Sequence, residues 1–199
     1  MSGSFPISTA QFETLGIKSI QDTILSKSVS GKKLSRQIDG QRWAFTARVI
    51  TGKRSDVYGD LMAFIVKQRS GKENFTIVPP EVEDARGTAS GTPTGTASAG
   101  ATSITLGGTG TGTLKAGDFI KFANHSKVYM VVADQSDIST GTLTVEPPLT
   151  TAVSSSNIQF DNIPFTVYLT NDIQEFGVVG ADKDGNALYQ FEFDVEEAL

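Results

Sequence analysis

The sequence predicts a mainly β protein with one α-helix, in which a β-sandwich or barrel domain contains a second, small β-barrel as an insertion. Three observations predict this fold class. Apolar and polar residues alternate along several segments, as they do in half-buried strands. One segment, residues 55–71, shows helical periodicity. In the middle of the chain, short strand candidates follow one another with only turn residues between them, which is typical of small barrels.

Four strands and the helix are predicted in residues 1–82, the first part of the main domain. The first three strands are Ile17–Leu25, Ser35–Asp39 and Trp43–Ile50. The third alternates between apolar and polar residues, so one of its faces is predicted to be buried. That face consists of Trp43, Phe45, Ala47 and Val49.

The helix is predicted over residues 55–71. Ser55 is placed to cap its N-terminus, and Gly71 is placed to close its C-terminus. A short strand in NFTIVPP follows, and its two prolines stop it. The apolar stripe that would face the core consists of Tyr58, Leu61, Met62 and Ile65.

Residues 83–160 are predicted to form the inserted barrel. The tract Gly87–Thr113 consists almost entirely of Gly, Thr, Ser and Ala, and we interpret it as a flexible connector or a long loop. Five short strand candidates are separated by turn-forming residues, and their spacing predicts a barrel of the OB type or a similar one. They are Ser103–Leu106, Asp118–Phe122, Lys127–Ala133, Thr142–Val145 and Asn157–Phe160.

Residues 161–199 return to longer strands, in the segments IPFTVYL, EFGVVGAD and ALYQFEFDV. Asp184 and Gly185, between the last two, predict a hairpin turn. The final strand is rich in aromatic residues, so it must pack on a core. We expect it to pair with the first part of the chain, so that residues 1–82 and 161–199 form one discontinuous domain around the insertion.

The charge is distributed unevenly along the chain. Residues 1–82 have a balance of +5, residues 83–160 of −2 and residues 161–199 of −8. This distribution fits either an ordinary solvated acidic end or two surfaces that present opposite charges to neighbouring copies. The chain lacks the basic surplus of a nucleic-acid binder, and no apolar run is long enough to span a membrane.

Composition and motifs argue against an enzyme. Because the chain has no cysteine, disulfides, thiolate zinc sites and thiol nucleophiles are excluded. No Gly-Lys pair has P-loop spacing, the glycines of GGTGTG do not match the dinucleotide fingerprint, and no GxSxG elbow occurs. We therefore predict no catalytic residue, no cofactor and no resident metal.

His125, the chain's only histidine, lies in a turn between two strand candidates. A catalytic base of the serine-hydrolase type needs an oriented partner and a nucleophile, and one histidine cannot supply a two-histidine metal site. We interpret His125 as a residue that hydrogen-bonds its own turn. The segment DKDGN has too few aspartates for a calcium loop and is interpreted as a hairpin turn.

The order of the parts carries a family resemblance, from QRWAFTARV through the helical segment SDVYGDLMAFIVKQRSG and AGATSITLGG to the final EEAL. The strongest motif is Lys115-Ala116-Gly117-Asp118 followed by His125-Ser126-Lys127-Val128-Tyr129. Together these segments resemble the distal tail proteins of siphophages, the long-tailed bacteriophages, in the subgroup with an OB-like barrel inserted in the ring-forming domain.

The resemblance implies a virion structural protein of the phage tail tip, made in the host cytoplasm. Such proteins resemble tail-tube subunits and form a hexameric ring that joins the tail tube to the baseplate hub or tail tip. DNA passes through the lumen without being held, and the insertion would contact a side fibre or collar protein.

Acidic residues of the last part are candidates for the lumen or for contacts between subunits. An acidic lining would repel DNA phosphates, and opposite charges on two surfaces would help to set the contact between neighbours. The candidates are Asp182, Asp184, Glu192, Asp194, Glu196 and Glu197.

Two other functions are open at this point. The first alternative is a carbohydrate- or receptor-binding module of a phage tail or another virion adaptor, which would use Phe119, Phe122 and Tyr129 as stacking platforms. An enzyme is the second alternative. In the structural interpretation, replacement of His125 by alanine would leave assembly intact.

Overall fold

A computed structural model describes residues 3–6, 11–37, 40–80 and 82–199. Over these residues the protein is mainly β, with 48% of residues in strands and one α-helix, as the sequence predicts. The strands are β1 (Phe12–Ile20), β2 (Thr23–Lys27), β3 (Lys33–Gln37), β4 (Arg42–Lys53), β5 (Phe75–Ile77), β6 (Pro93–Ala97), β7 (Ser103–Gly108), β8 (Phe119–Phe122), β9 (Val128–Val131), β10 (Thr142–Glu146), β11 (Val153–Gln159), β12 (Phe165–Leu169), β13 (Phe176–Ala181) and β14 (Ala187–Glu197). The helix is α1 (Gly59–Lys67).

The main sheet is antiparallel and joins strands from both ends of the chain. Its order is β1-β4-β14-β12-β5, and β13 also pairs with β14. The last strand, β14, thus lies in the interior of the sheet, with Phe193 opposite Ala47 of β4 and Glu197 opposite Val167 of β12. On this topology we propose that residues 1–82 and 161–199 form one discontinuous domain and that residues 83–160 are inserted into it.

The core of the main sheet lies on the face that α1 covers. The predicted alternation in β4 is confirmed, because Trp43, Phe45, Ala47 and Val49 are each at most 5% exposed. Residues Phe191, Phe193 and Val195 of β14 lie in the same core, together with Tyr58, Leu61 and Ile65 of the helical segment. The predicted helical stripe is therefore correct, with Met62 only partly buried against the core.

The predicted helix is too long at both ends. Its first turn is a π-helical turn at Arg54–Tyr58, and no side chain caps it, so the prediction of Ser55 as N-cap is wrong. The Ser55 hydroxyl instead donates to the Asp56 carboxylate. The chain leaves the helix before Gly71, because Arg69 adopts a left-handed conformation with φ of 54°. Gly71 has a different use: a Cβ there would lie 2.7 Å from the Leu169 carbonyl oxygen of β12.

The predicted strand Ile17–Leu25 is two strands. β1 ends at Ile20 and belongs to the main sheet, whereas β2 pairs only with β3 in a separate two-stranded hairpin. The predicted strand Ser35–Asp39 overlaps the end of β3, and its last two residues lie outside the described ones.

Residues of the middle part form a closed barrel in the order β10-β7-β6-β11-β8-β9. All five strand candidates predicted there are strands, although β11 begins earlier, at Val153. The barrel has a core of its own. Its fully buried members include Ile104, Leu114, Ile120, Phe122, Tyr129, Val131, Ile138, Leu143 and Val145.

The prediction of a flexible connector or long loop over Gly87–Thr113 is wrong, because β6 and β7 lie within that tract. The structure explains why small residues occupy this tract. A Cβ on Gly95 would lie 2.7 Å from the Phe122 ring and 2.9 Å from Ile104, so this strand can pass the barrel core only as glycine. The hydroxyl residues form hydrogen bonds across the tract, in the pairs Thr88–Thr113, Ser90–Thr111 and Thr92–Thr109.

Candidate functional site

Three of the predicted acidic residues lie on one face of β14. Glu192, Asp194 and Glu196 alternate with core residues, so they project from the face of the sheet opposite to the core. The strand register places Glu192 beside Arg48 and Asp194 beside Thr46 of β4. This face of β14 and β4 is hereafter called the polar face.

Cations of β4 neutralise much of the polar face. Arg48 Nη2 lies 2.7 Å from Glu192 Oε2, and Arg42 Nη1 lies 3.1 Å from Glu196 Oε1. Thr46 donates a hydrogen bond of 2.5 Å to the Asp194 carboxylate. Burial and the nearby Glu196 raise the pKa of Tyr168, which lies beside Glu196 on β12. The polar face therefore carries alternating charges, and among the described residues its one carboxylate without an ion pair is that of Asp194.

Asp182 and Asp184 lie in the predicted turn between β13 and β14, which the structure confirms. Gly185 has the positive φ, 83°, that such turns require. The Asp182 carboxylate accepts hydrogen bonds from the side chain and backbone of Asn186 and from the backbone of Asp184, and it pairs with Lys53. These contacts, the Asn186 side chain first, hold the pKa of Asp182 far below its usual range. Asp184 is exposed and contacts Lys183.

Glu197 points the opposite way, into the junction between the main sheet and the barrel. It is 1% exposed and pairs with Lys127, which is 2% exposed. Its carboxylate also accepts backbone hydrogen bonds from Trp43 at 3.2 Å and from Val128 at 2.9 Å. Lys127 donates a second bond of 2.8 Å to the Gln41 side chain. Burial raises the pKa of Glu197 and lowers that of Lys127, while the opposite charge of each partner offsets part of the shift.

Trp43 completes this junction. Its indole N–H donates a hydrogen bond of 3.0 Å to the Val128 carbonyl of the barrel, and its ring meets Phe119 edge-on at 5.0 Å. Phe119 in turn packs edge-on against Phe165 of the main sheet at 5.8 Å. The barrel residues Phe119 and Val128 thus belong to the core of the main sheet. The junction is both apolar and hydrogen-bonded, which fixes the barrel on the sheet.

Sequence reasoning did not identify Lys127 as a partner of Glu197. Lysine and glutamate are rarely fully buried, and the sequence placed Glu197 among the candidates for the lumen or for contacts between subunits. The one available signal was position: Glu197 falls on the same side of the strand as Phe193 and Val195 when the alternation of β14 is continued to its end.

His125 joins a small hydrogen-bond network, as predicted for its turn. Nδ1 lies 2.8 Å from the side-chain amide oxygen of Asn124, Oδ1, and Nε2 lies 2.8 Å from the Tyr129 hydroxyl. Since the amide oxygen can only accept, Nδ1 carries the proton and a neutral Nε2 accepts from Tyr129. The Tyr129 oxygen then accepts from the Thr150 backbone N–H at 3.1 Å. Burial, followed by the Lys121 charge, lowers the pKa of His125.

We expect His125 to contribute less to the stability of the protein as the pH is lowered. A group with a lowered folded-state pKa contributes stability above its unfolded pKa, near 6.5, and loses it as pH falls through the folded value. The difference in unfolding free energy between the wild type and His125→Gln should therefore be largest at pH 7 and become smaller as the pH is lowered below about 6.5. A difference that stays constant as the pH is lowered would contradict the neutral network.

The Lys115–Asp118 motif is a turn built around a buried carboxylate. Asp118 is 2% exposed and accepts hydrogen bonds from Lys115 N at 2.7 Å and from Arg86 N and Nε, both at 3.1 Å. Gly117 provides a φ of 95°. Exposed Asp134 supports the turn from outside, because it binds Ala116 N at 2.9 Å.

Replacement of Asp118 by alanine should lower the free energy of unfolding by about 2–3 kcal/mol, because the backbone N–H groups of Lys115 and Arg86 and the Arg86 side chain lose a buried, charged acceptor. The measurement is chemical denaturation at neutral pH. Asp134→Ala is the matched control, and its loss should be much smaller because that carboxylate is in solvent. Equal losses in the two variants would refute the role assigned to Asp118.

The aromatic residues considered as stacking platforms are buried. Phe119 is 4% exposed, and Phe122 and Tyr129 are 0% exposed. These rings therefore offer no open surface to a sugar. Within the described parts of the chain, no group of three or more His, Cys, Asp or Glu side chains is arranged to hold a metal ion. Over the same residues, no helix is long and apolar enough to cross a membrane.

In a comparison with known protein families, residues 82–163 match the family model of the B domain of the distal tail protein pb9. A comparison with curated proteins finds no match. The matched residues contain all six strands of the closed barrel. The match supports a structural role in a phage tail and a place in the virion.

Proposed function

We propose that this protein is the distal tail protein of a siphophage, of the subgroup with an OB-like barrel inserted in the ring-forming domain. In this role it forms a hexameric ring that joins the tail tube to the baseplate hub or tail tip. The observation that carries the proposal is the match of residues 82–163 to a distal tail protein domain. The closed barrel in that region, interposed between strands of one sheet, supports it.

The open edges of the main sheet are compatible with a ring. Among the described residues, β1 pairs only with β4, and β13 pairs only with β14, so each has one edge without a strand partner. These edges lie on opposite sides of β14. Two different surfaces that face different neighbours are what head-to-tail contacts need, and such contacts close into a ring when the rotation permits.

The polar face is our candidate for the lumen or for a contact between subunits, the two roles that the sequence leaves open for its acidic residues. Glu192, Asp194 and Glu196 belong to it, with Asp182 and Asp184 in the turn at its end, whereas Glu197 belongs to the junction within the subunit. Because Arg42 and Arg48 pair with glutamates of the same face, no row of free cations is left to hold phosphates. Affinity for DNA grows with the number of neutralised phosphates, so a balanced face lets DNA pass.

The partners follow from this position. The tail tube protein would bind one side of the ring, and the baseplate hub or tail tip protein would bind the other. The barrel, fixed by Lys127, Glu197 and Trp43, would project from the ring and offer a rigid site to a side fibre or collar protein.

Electron microscopy of the purified protein tests the ring. We expect particles with a central hole and sixfold symmetry, with six extra densities on the outside for the barrels. Glu196→Lys serves as a probe of the lumen. This substitution should raise DNA retention by the ring if this part of the polar face lines the hole, and leave it unchanged if it lies outside.

A further inference from the structure

We propose that the hairpin of β2 and β3 is a docking arm, which binds the acidic groove beside β13 of a second copy of this chain. The inference rests on the proposed ring and names the contact between its neighbouring subunits. The groove is lined by Arg48, Asn171, Glu175, Gly177, Val179, Gln190, Glu192 and Asp194, so it holds three carboxylates and one guanidinium, and it is hereafter called the β13 groove.

The hairpin lacks a core of its own. Every residue of β2 and β3 is exposed, and among the described residues the two strands pair only with each other. Apolar side chains are nevertheless present: Ile24 is 55% exposed, Leu25 62% and Leu34 53%. A lone two-stranded hairpin is marginally stable in water. A partner that covers these side chains would stabilise it.

All charged side chains of the hairpin are positive. Between Thr23 and Gln37 there is no Asp or Glu, but there are four basic residues. They are Lys27, Lys32, Lys33 and Arg36. Among the ion pairs of the described residues, none involves these cations. The arm thus presents apolar side chains flanked by free positive charge.

The β13 groove also exposes apolar side chains, but its net charge is negative, opposite to that of the arm. Val179 is 54% exposed, and Ile173 at the rim is 86% exposed. Glu175 forms no ion pair among the described residues, and neither does Asp172 at the same rim. Arg48 neutralises Glu192 only, so the groove keeps a net negative charge.

A second copy is the occupant that the chain itself supports. One molecule exposes both an apolar basic arm and an apolar acidic groove, and no strand pairing joins the arm to β13. Opposite charge on two apolar patches gives both attraction and register to a contact between neighbours. Because the two patches differ, each subunit gives an arm to one neighbour and receives one from the other, as a ring requires.

Cysteine cross-linking tests the contact in the full chain, since the protein has no cysteine of its own. Leu34→Cys combined with Val179→Cys, and Leu25→Cys combined with Val179→Cys, examine the two faces of the arm. On oxidation, one of these double variants should give a ladder of covalent oligomers up to the ring. Leu34→Cys with Val66→Cys, which places the second thiol on an exposed residue of α1, should give none.

A charge exchange gives an independent readout. Lys33→Glu with Arg36→Glu should raise the protein concentration needed for half-assembly by about tenfold or more, because like charges would then meet. Adding Asp172→Lys and Glu175→Lys to that variant should restore assembly. Native mass spectrometry measures the oligomers.

The outcomes separate the two proposals. Rings that form normally in the charge-reversed variant and give no ladder with either cysteine pair would overturn the docking arm and leave the ring standing. A wild type that remains a monomer at every concentration would overturn the ring and the arm together. A cross-link only within one chain would also overturn the arm.

Discussion

Lys127→Met is expected to lower the free energy of unfolding by about 3–5 kcal/mol, the usual cost of breaking a buried ion pair. The substitution leaves Glu197 as an uncompensated charge in a site that is 1% exposed. Glu197 cannot turn to solvent without releasing the backbone N–H groups of Trp43 and Val128. The loss is therefore a property of the junction, although Lys127 lies in the barrel.

Denaturant unfolding followed by the fluorescence of Trp43, the chain's single tryptophan, measures this loss where it arises. The ammonium group of Lys127 lies 6.0 Å from the centre of that ring. Lys127→Met combined with Glu197→Gln should recover most of the stability, because both charges leave together and the amide still offers an acceptor.

The matched control is Lys115→Met. Lys115 also pairs with an aspartate, Asp134, but both side chains are in solvent. The control should therefore lose little stability. If Lys127→Met lost no more than this control, the buried pair would not hold the junction together.

Trp43→Ala is expected to lower the free energy of unfolding by about 3–5 kcal/mol, the usual cost of truncating a buried aromatic side chain to alanine. The substitution removes the edge-on contact with Phe119 and the hydrogen bond to Val128 in one step. Circular dichroism must follow the unfolding, because the variant has no tryptophan.

Trp43→Phe separates the two contributions. It keeps an aromatic ring in the junction but loses the indole N–H, so its loss should be smaller, about 1–2 kcal/mol. A Trp43→Ala variant as stable as Trp43→Phe would show that the ring contributes nothing to the junction.

The strands of the main sheet could be predicted because their signal is local. Alternation of Trp43, Phe45, Ala47 and Val49 is enough to assign a buried face, whatever the strand pairs with. The turn at Gly185 is likewise specified by adjacent residues.

The predictions were wrong where contacts between residues distant in the sequence determine the structure. The Gly87–Thr113 tract has no apolar alternation, and its order depends on Phe122 and Ile104, which fill the space that Gly95 leaves. The pairing of Lys127 with Glu197 joins residues separated by 70 positions. Neither contact has a signature in a short window of sequence. The helix was overestimated at its N-terminal end because the apolar stripe begins at Tyr58, in a π-helical turn, and at its C-terminal end because Arg69 adopts a left-handed conformation.

The charge asymmetry between the two ends of the chain also takes a clearer form in the structure. The positive surplus of the first part lies to a large extent in the exposed β2–β3 hairpin, whereas Arg42 and Arg48 pair with glutamates of β14. Counting charges by sequence position could not separate cations that are already paired from cations that are free.

Immunogold electron microscopy of intact virions tests the central claim most directly, with antibodies raised against the purified protein. Our account predicts gold at the distal end of the tail in whole particles and on detached tails. Labelling of the capsid alone, or virions that lack the protein altogether, would contradict it.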